Sequence, residues 1–286
     1  MQKLTILLAF LTLTTFKLIS QSPAKFGEVL TKMPGIVSYT YRTEFAKDVS
    51  GTLDMIKSTT GVTNIEFSNL FGKSAAELRA LLDARGMRCT SYGISYESMI
   101  NKPDTVIQDA KTLGASYVRV AWIPHKAPMD LPLAQKAVAD FNQFGKKLKE
   151  NHITFCYHNH GFDFAPYQNG TFFDYIVQNT NPKYVSFEMD ILWVFHPGQD
   201  PSALLKKYPK RFRLMHIKDL KKGVIGNLSG GTPPENDVTL GTGQLNLPEI
   251  LKAAQKTKIQ FYYIEDESPS SQQQVPISLS YLKGLK

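Results

Sequence analysis

The stretch "YHNHGFDF" at 157–164 places two of the chain's six histidines at i and i+2, after an apolar run and before a Gly-Phe turn. On a strand, side chains two apart point to the same face, so His158 and His160 would project together. Three further runs end in the same manner: Glu188-Met189-Asp190, His216-Ile217-Lys218-Asp219 and Glu265-Asp266-Glu267 each follow a largely apolar half ("YVSF", "RLM", "FYYI"). Period-two alternation then gives one inward set: His158 and His160, Glu188 and Asp190, His216 and Lys218, Glu265 and Glu267. Imidazoles and carboxylates gathered on one buried face cost several kcal/mol each unless they are paired or bound to a cation. The chemistry open to such a set is cation binding and proton transfer, and its rival is a polar rim of salt bridges.

These residues need elements to position them. Eight β-type runs recur after residue 34, at 35–41, 63–67, 88–94, 116–122, 153–159, 184–190, 213–219 and 261–267. Helical patterns separate them at 46–59, 74–86, 101–113, 131–151, 171–179, 201–208 and 247–257, with "PISLSYLKGL" supplying an eighth near the end. The second helix carries its own signals, Ser74 as N-cap, Glu77 three residues on and Gly86 closing. Strict alternation implies parallel strands joined by crossover helices. Eight units in about 250 residues is the size of a (β/α)8 TIM barrel, a single domain here over 21–286. A doubly wound sheet would carry a glycine-rich turn after its first strand, and "YTYRTEF" (39–45) has no glycine. In a barrel, chemistry gathers at the C-terminal strand ends, which is where the polar residues fall.

Composition is ordinary for a globular protein: 42% hydrophobic, 20% charged, formal net charge +8. The lysines are scattered along helices, as in "KKLKE" (146–150), which suits solvated faces better than a nucleic-acid groove. Lys3, an apolar stretch over 4–16 and small polar residues near Ser20 form the pattern of a secretory signal peptide over 1–20, and the expected product is exported, periplasmic or extracellular. The stretch is short for a membrane span, so no membrane association is expected after cleavage. Cys89 and Cys156 lie in separate apolar runs and read as buried free thiols.

The chain resembles the sugar phosphate isomerase/epimerase superfamily of xylose-isomerase-like TIM barrels, in "YHNHGFDF", in 187–220, in "LGTGQLNLPEIL" (240–251) and in "YYIEDE". The resemblance implies one divalent metal, Mn2+, Mg2+ or Zn2+, held by one side chain from each of strands five to eight: by position, His158, Asp190, His216 and Glu265. Two imidazoles and two carboxylates suit such ions and leave positions for substrate oxygens. Sugar epimerases of this superfamily have a glutamate where His158 stands, so a symmetric two-base epimerisation loses one base, for which His160 could substitute.

The resemblance implies an isomerase or epimerase working through an enediolate, with Glu265, Glu267 or His160 as base and Lys218 on a substrate oxygen. A lyase or hydratase using the same enolate is the alternative, followed by a sugar-binding protein without turnover. An apurinic-site endonuclease, a cousin of the fold, needs a cluster of two or three metals, and strand three ends in Tyr92-Gly93-Ile94 without an imidazole. Tyr41, Glu66, Trp122, Asn159 and Trp193 are the substrate-binding candidates. The small-molecule substrate is expected to be an unphosphorylated sugar: "GTPPEND" follows its glycine with two prolines lacking N–H donors and with acidic Glu235 and Asp237. Nucleic acid is not an expected partner.

Overall fold

In the computed structural model, which describes residues 26–30, 32–126 and 128–286, eight parallel strands close into a barrel. The expected leader over 1–20 lies outside the described residues. The strands are β1 (Gly35–Val37), β2 (Asn64–Phe67), β3 (Arg88–Ile94), β4 (Tyr117–Val120), β5 (Thr154–His158), β6 (Val185–Asp190), β7 (Phe212–Ile217) and β8 (Phe261–Ile264). They pair in sequential order, and β1 meets both β2 and β8. Eight helices pack outside: α1 (Val49–Thr60), α2 (Ala75–Asp83), α3 (Pro103–Leu113), α4 (Leu131–Glu150), α5 (Phe172–Asn179), α6 (Pro201–Lys207), α7 (Leu247–Ala254) and α8 (Ser271–Gly284). Local chemistry explains their bounds. Ser74 and Glu77 cap α2 reciprocally, as its sequence signals predict, and left-handed Gly61 and Gly114 end α1 and α3.

Three elements depart from the sequence expectation. The first strand stops at Val37, and Ser38–Tyr41 form a 3-10 turn leading into a short helix, Arg42–Lys47. The expected helix at 101–113 begins at Pro103 and follows a separate turn, Tyr96–Asn101. The last helix starts at Ser271, upstream of Pro276, rather than at that proline. A further helix, Ile191–Phe195, follows β6 directly, because Asp190 caps it by accepting from the Trp193 N–H at 2.9 Å.

The barrel interior is layered, and the layering follows from alternation. At the floor lie Val37, Tyr117, Cys156, Leu214 and Tyr263, an apolar plug. Gly35 makes room for it, since a Cβ there would stand 2.6 Å from the Tyr263 ring. Two residues further along each strand come Arg119, His158, His216 and Glu265, with Glu66 and Glu188 on β2 and β6. One-residue register slips fall just before Glu66 and just before Glu188, the kind of irregularity that re-aims a side chain near a site. Both cysteines are buried free thiols, as the sequence implies.

One carboxylate organises the long connection between β7 and α7. Asp219 accepts backbone N–H bonds from Leu220, Gly241, Gly243 and Leu245 at 2.9–3.1 Å. Gly243 has no space for a side chain, because a Cβ would lie 2.1 Å from that carboxylate. Asp219→Ala strands several part-buried donors, at about 1–3 kcal/mol for each one left unpaired. The expected outcome is a fall in unfolding free energy of at least about 2 kcal/mol with new protease cleavage inside 220–246. Unchanged denaturant midpoints would show that the connection holds itself.

Candidate active site

His216 stands at the centre. Its Nε2 lies 2.7 Å from Glu66 Oε1 and 3.3 Å from Glu188 Oε2. Glu66 fixes the proton of a neutral imidazole on Nε2, so Nδ1 presents its lone pair on the other side. On that side stand Glu265 Oε2 at 2.9 Å, His158 Nε2 at 3.1 Å and Asp190 Oδ2 at 3.8 Å. His158 Nε2 and Asp190 Oδ2 are 3.5 Å apart. The four donor atoms lie within 4.8 Å of one another, all on buried residues. Asp190 Oδ2 and His158 Nδ1 have no hydrogen-bond partner among the described residues.

Charge points the same way. Glu66, Glu188, Asp190, Glu265, Glu267 and Asp237 face Arg119 and Lys218, six carboxylates against two fixed cations. Burial disfavours an imidazolium at His216, yet Glu188, Glu265 and Glu66 raise its pKa well above the usual range, so without a cation at the donors a proton on Nδ1 takes its place. Burial together with the Glu66 charge pushes Glu188 up, and burial pushes Asp237 up to about 7 despite Lys218. Converging lone pairs with surplus negative charge fit a divalent cation held by His158, Asp190, His216 and Glu265. A second trio, Glu66, Glu188 and His216, already has its cation: the Arg119 Nε sits 3.0 Å from Glu66 Oε1 and 3.1 Å from Glu188 Oε2.

A cavity of about 370 Å³ opens above these donors. Of the sequence candidates it gathers Trp122, His158, His160, Trp193, Glu265 and Glu267 on its wall. His160 stacks against Trp193 at 5.7 Å, and its Nδ1 has no hydrogen-bond partner among the described residues. Burial and the neighbouring His158 hold the His160 imidazole well below its usual range.

Four candidates stand elsewhere. Tyr41 is buried in the hydrophobic core, because the strand ends at Val37 and the 3-10 turn breaks its alternation; Tyr39 lines the cavity instead. Asn159 is buried too, and its carboxamide bonds both the N–H and the carbonyl of Asp190 at 3.1 Å, which holds β5 to β6. Glu66 lies beneath the donors rather than on the wall. Lys218 is also behind the wall, 2.7 Å from Glu267 and 3.4 Å from Asp237. Glu265 follows at 3.5 Å and Asp190 at 3.9 Å, so carboxylates rather than open cavity surround the Lys218 ammonium.

Arg119, Asp163 and Asp237 are the residues sequence reasoning missed. Arg119 was within reach, as the one cation in the apolar run "SYVRVAW". Asp163 accepts from the Tyr157 hydroxyl at 2.8 Å and from the His160 N–H at 2.7 Å, which shapes the turn after His158.

Two outcomes are expected. Burial raises the Asp163 pKa from 3.8 to about 7 despite those bonds. The folded protein thus keeps this proton where the unfolded chain has lost it, so the contribution is full below about pH 4 and falls as pH rises towards 7. Asp163→Asn should flatten the stability difference over that window, by up to roughly 4 kcal/mol; parallel parent and variant curves would refute it. Elemental analysis should find about one divalent metal per chain and its loss in His216→Ala. Equal metal content in both would count against the four-donor assignment.

The chain also resembles known proteins. Inosose dehydratase of Bacillus anthracis (strain CDC 684 / NRRL 3495) is 25% identical over 186 residues, 58% of this chain and 61% of that protein. The chain thus spans about three-fifths of the length of this curated relative. A sugar phosphate isomerase/epimerase from Parabacteroides distasonis ATCC 8503 superposes with a TM-score of 0.72 at 22% identity, covering 93% of this chain and 98% of that one. The IOLI protein with a bound zinc atom gives 0.67 at 15%, over 87% and 94%. A family model described as xylose isomerase-like TIM barrel matches residues 54–285. With eight parallel strands closed in sequential order and a match over most of its length, the chain belongs to the xylose isomerase-like TIM barrel family.

Proposed function

We propose that the protein is a metal-dependent lyase that abstracts a proton beside a carbonyl of a neutral sugar or glycoside and expels a β-oxygen substituent. The observation that carries this is the unequal pair on the cavity wall: His160, whose imidazole burial and the neighbouring His158 hold neutral, and Glu267, bonded to the Lys218 ammonium at 2.7 Å. Two-base epimerisation needs a base and an acid on opposite faces of one carbon, and here Glu267 is tied to an ammonium, whereas elimination needs one base that can pass its proton on to the leaving oxygen. When bound by His158, Asp190, His216 and Glu265, a divalent ion supplies the charge that grips substrate oxygens and polarises the carbonyl. His160 takes the proton. The imidazolium so formed passes that proton to the leaving oxygen, Glu267 stays paired with the Lys218 ammonium, and Arg119, which also lines the cavity, faces the oxygen on which negative charge develops.

Isomerisation by a single base is the second reading. It is favoured by the same free imidazole, which could return its proton to the neighbouring carbon. The dehydratase relative supports the first reading and the isomerase/epimerase neighbour the second.

A neutral substrate is supported by the glycines after β7. The Gly241 and Gly243 N–H groups are taken by Asp219, so they do not form an anion cradle. Glu265 and Glu267 on the wall repel a phosphate dianion. We also propose export, on the charged and then apolar pattern over 1–20.

Incubation of the metal-loaded protein with keto-sugars and glycosides in D2O separates the readings by NMR. Elimination yields a vinylic proton and a released group, while isomerisation yields a deuterated isomer of unchanged mass balance. His160→Ala should slow turnover about 10²–10⁴-fold without loss of metal. A variant with parental rate would remove His160 from the reaction.

A further inference from the structure

Beside the cavity that holds the metal donors lies a second one, of about 440 Å³. Trp122 belongs to both. Its indole is 43% exposed, a large apolar surface for a residue at the rim of a buried polar site. His125 stacks on it at 5.2 Å with planes 20° apart, and Phe162 meets it edge-on at 4.8 Å. On the catalytic side, the His160 ring meets the same indole edge-on at 5.2 Å. Met129 and the exposed Leu228 complete the apolar lining, with Lys126 the one charged residue on it.

One connection borders both cavities. Leu228 and Ser229 line the second, and Gly230, Gly231 and Thr232 line the first. Gly230 has φ +71°, and a Cβ there would stand 2.8 Å from the Phe162 ring. Residue 230 is thus a crossing point where only glycine lets the backbone pass close over Phe162. The two spaces differ in chemistry: carboxylates, imidazoles and a guanidinium on one side of Trp122, and mainly apolar and aromatic groups on the other. A ligand that filled both would be polar at one end and apolar at the other.

We propose that this second cavity is a subsite for an aromatic group attached to the sugar, the aglycone of an aryl glycoside. This rests on the reading of the first cavity as a sugar site, and it names the leaving substituent that this reading left open. A planar ring entering beside Trp122, His125 and Phe162 removes apolar surface from water and gains edge and face contacts, which a polar chain extension would not.

Calorimetric titration of the Mn2+-loaded full chain with paired methyl and phenyl glucosides, galactosides and mannosides, and with phenol, tests it. At least one phenyl glycoside should bind tenfold or more tightly than its methyl partner. Leu228→Gln, an exposed substitution outside the sugar site, should remove most of that gain and leave the methyl glycoside affinity unchanged. Equal affinities for the phenyl and methyl partners would overturn the subsite and leave the sugar reading standing. So would a gain that survives Leu228→Gln intact. If phenol binds as tightly as every phenyl glycoside while no methyl glycoside binds, the sugar reading itself fails and the subsite falls with it. Absence of binding by all probes overturns the proposal as well.

Discussion

A lone pair aimed at other lone pairs is the constraint on which this barrel end depends. Glu66 occupies one nitrogen of His216, and the other nitrogen then faces a carboxylate oxygen at 2.9 Å and a second imidazole at 3.1 Å. Acceptors at such distances, one of them a charged carboxylate, repel unless something positive, a proton or a cation, lies between them. The low-dielectric floor of Val37, Tyr117, Cys156, Leu214 and Tyr263 directly beneath makes the repulsion stronger, because little water screens it. Arg119 and Lys218 answer part of the surplus, each from a different side. Arg119 is clamped between Glu66 and Glu188, and Lys218 sits among Glu267, Asp237 and Glu265. Lys218 approaches two of the four donors from behind, Glu265 Oε2 at 3.5 Å and Asp190 Oδ2 at 3.9 Å. It is held closer to Glu267, at 2.7 Å, which leaves the side shared with His158 and His216 for a divalent ion.

The parallel barrel is what makes such crowding possible. Each donor sits at the end of its own strand, so one side chain per strand enters from the rim while backbone ladders hold the strands in register. Local bonds then remove the remaining freedom. Asn159 ties the end of β5 to Asp190, Asp190 caps the following helix with one oxygen, and the other oxygen is left for the cluster. Asp219 does for the β7–α7 connection what Asn159 does for the strands, and that connection carries Gly230, Gly231 and Thr232 to the cavity. At Asp190, capping and site-building use the same carboxylate.

Much of this was legible in the sequence, for a physical reason: period-two alternation needs only the strand direction. His158, Asp190, His216 and Glu265 come together as parity implies, and the eight strands lie where apolar runs end in polar residues. Parity failed where the strand stopped early. "GIVSYTY" has strand composition throughout, yet the chain turns after Val37, so Tyr41 enters the core and Tyr39 faces the cavity. It also says nothing of depth. Glu66 shares the inward face but lies below the donors, and Lys218, level with the rim by sequence, is drawn behind it by Glu267 and Asp237. Arg119 and Asp237 reveal their roles only when tertiary contacts show which charges they neutralise.

Site-building and stability pull in opposite directions at this end of the molecule. A barrel optimised for folding would replace the buried carboxylates by well-packed apolar side chains, since buried ion pairs rarely exceed their desolvation cost. Here the carboxylates stay, and the compensation is distributed: an apolar plug below, helices capped by site residues around the rim, and a long connection pinned at four N–H groups by Asp219. The aromatic wall of Trp122, Phe162 and Trp193 adds the last element. It covers part of the charged layer with apolar rings yet leaves an opening, so that a group entering there would meet fixed charges with less water between them.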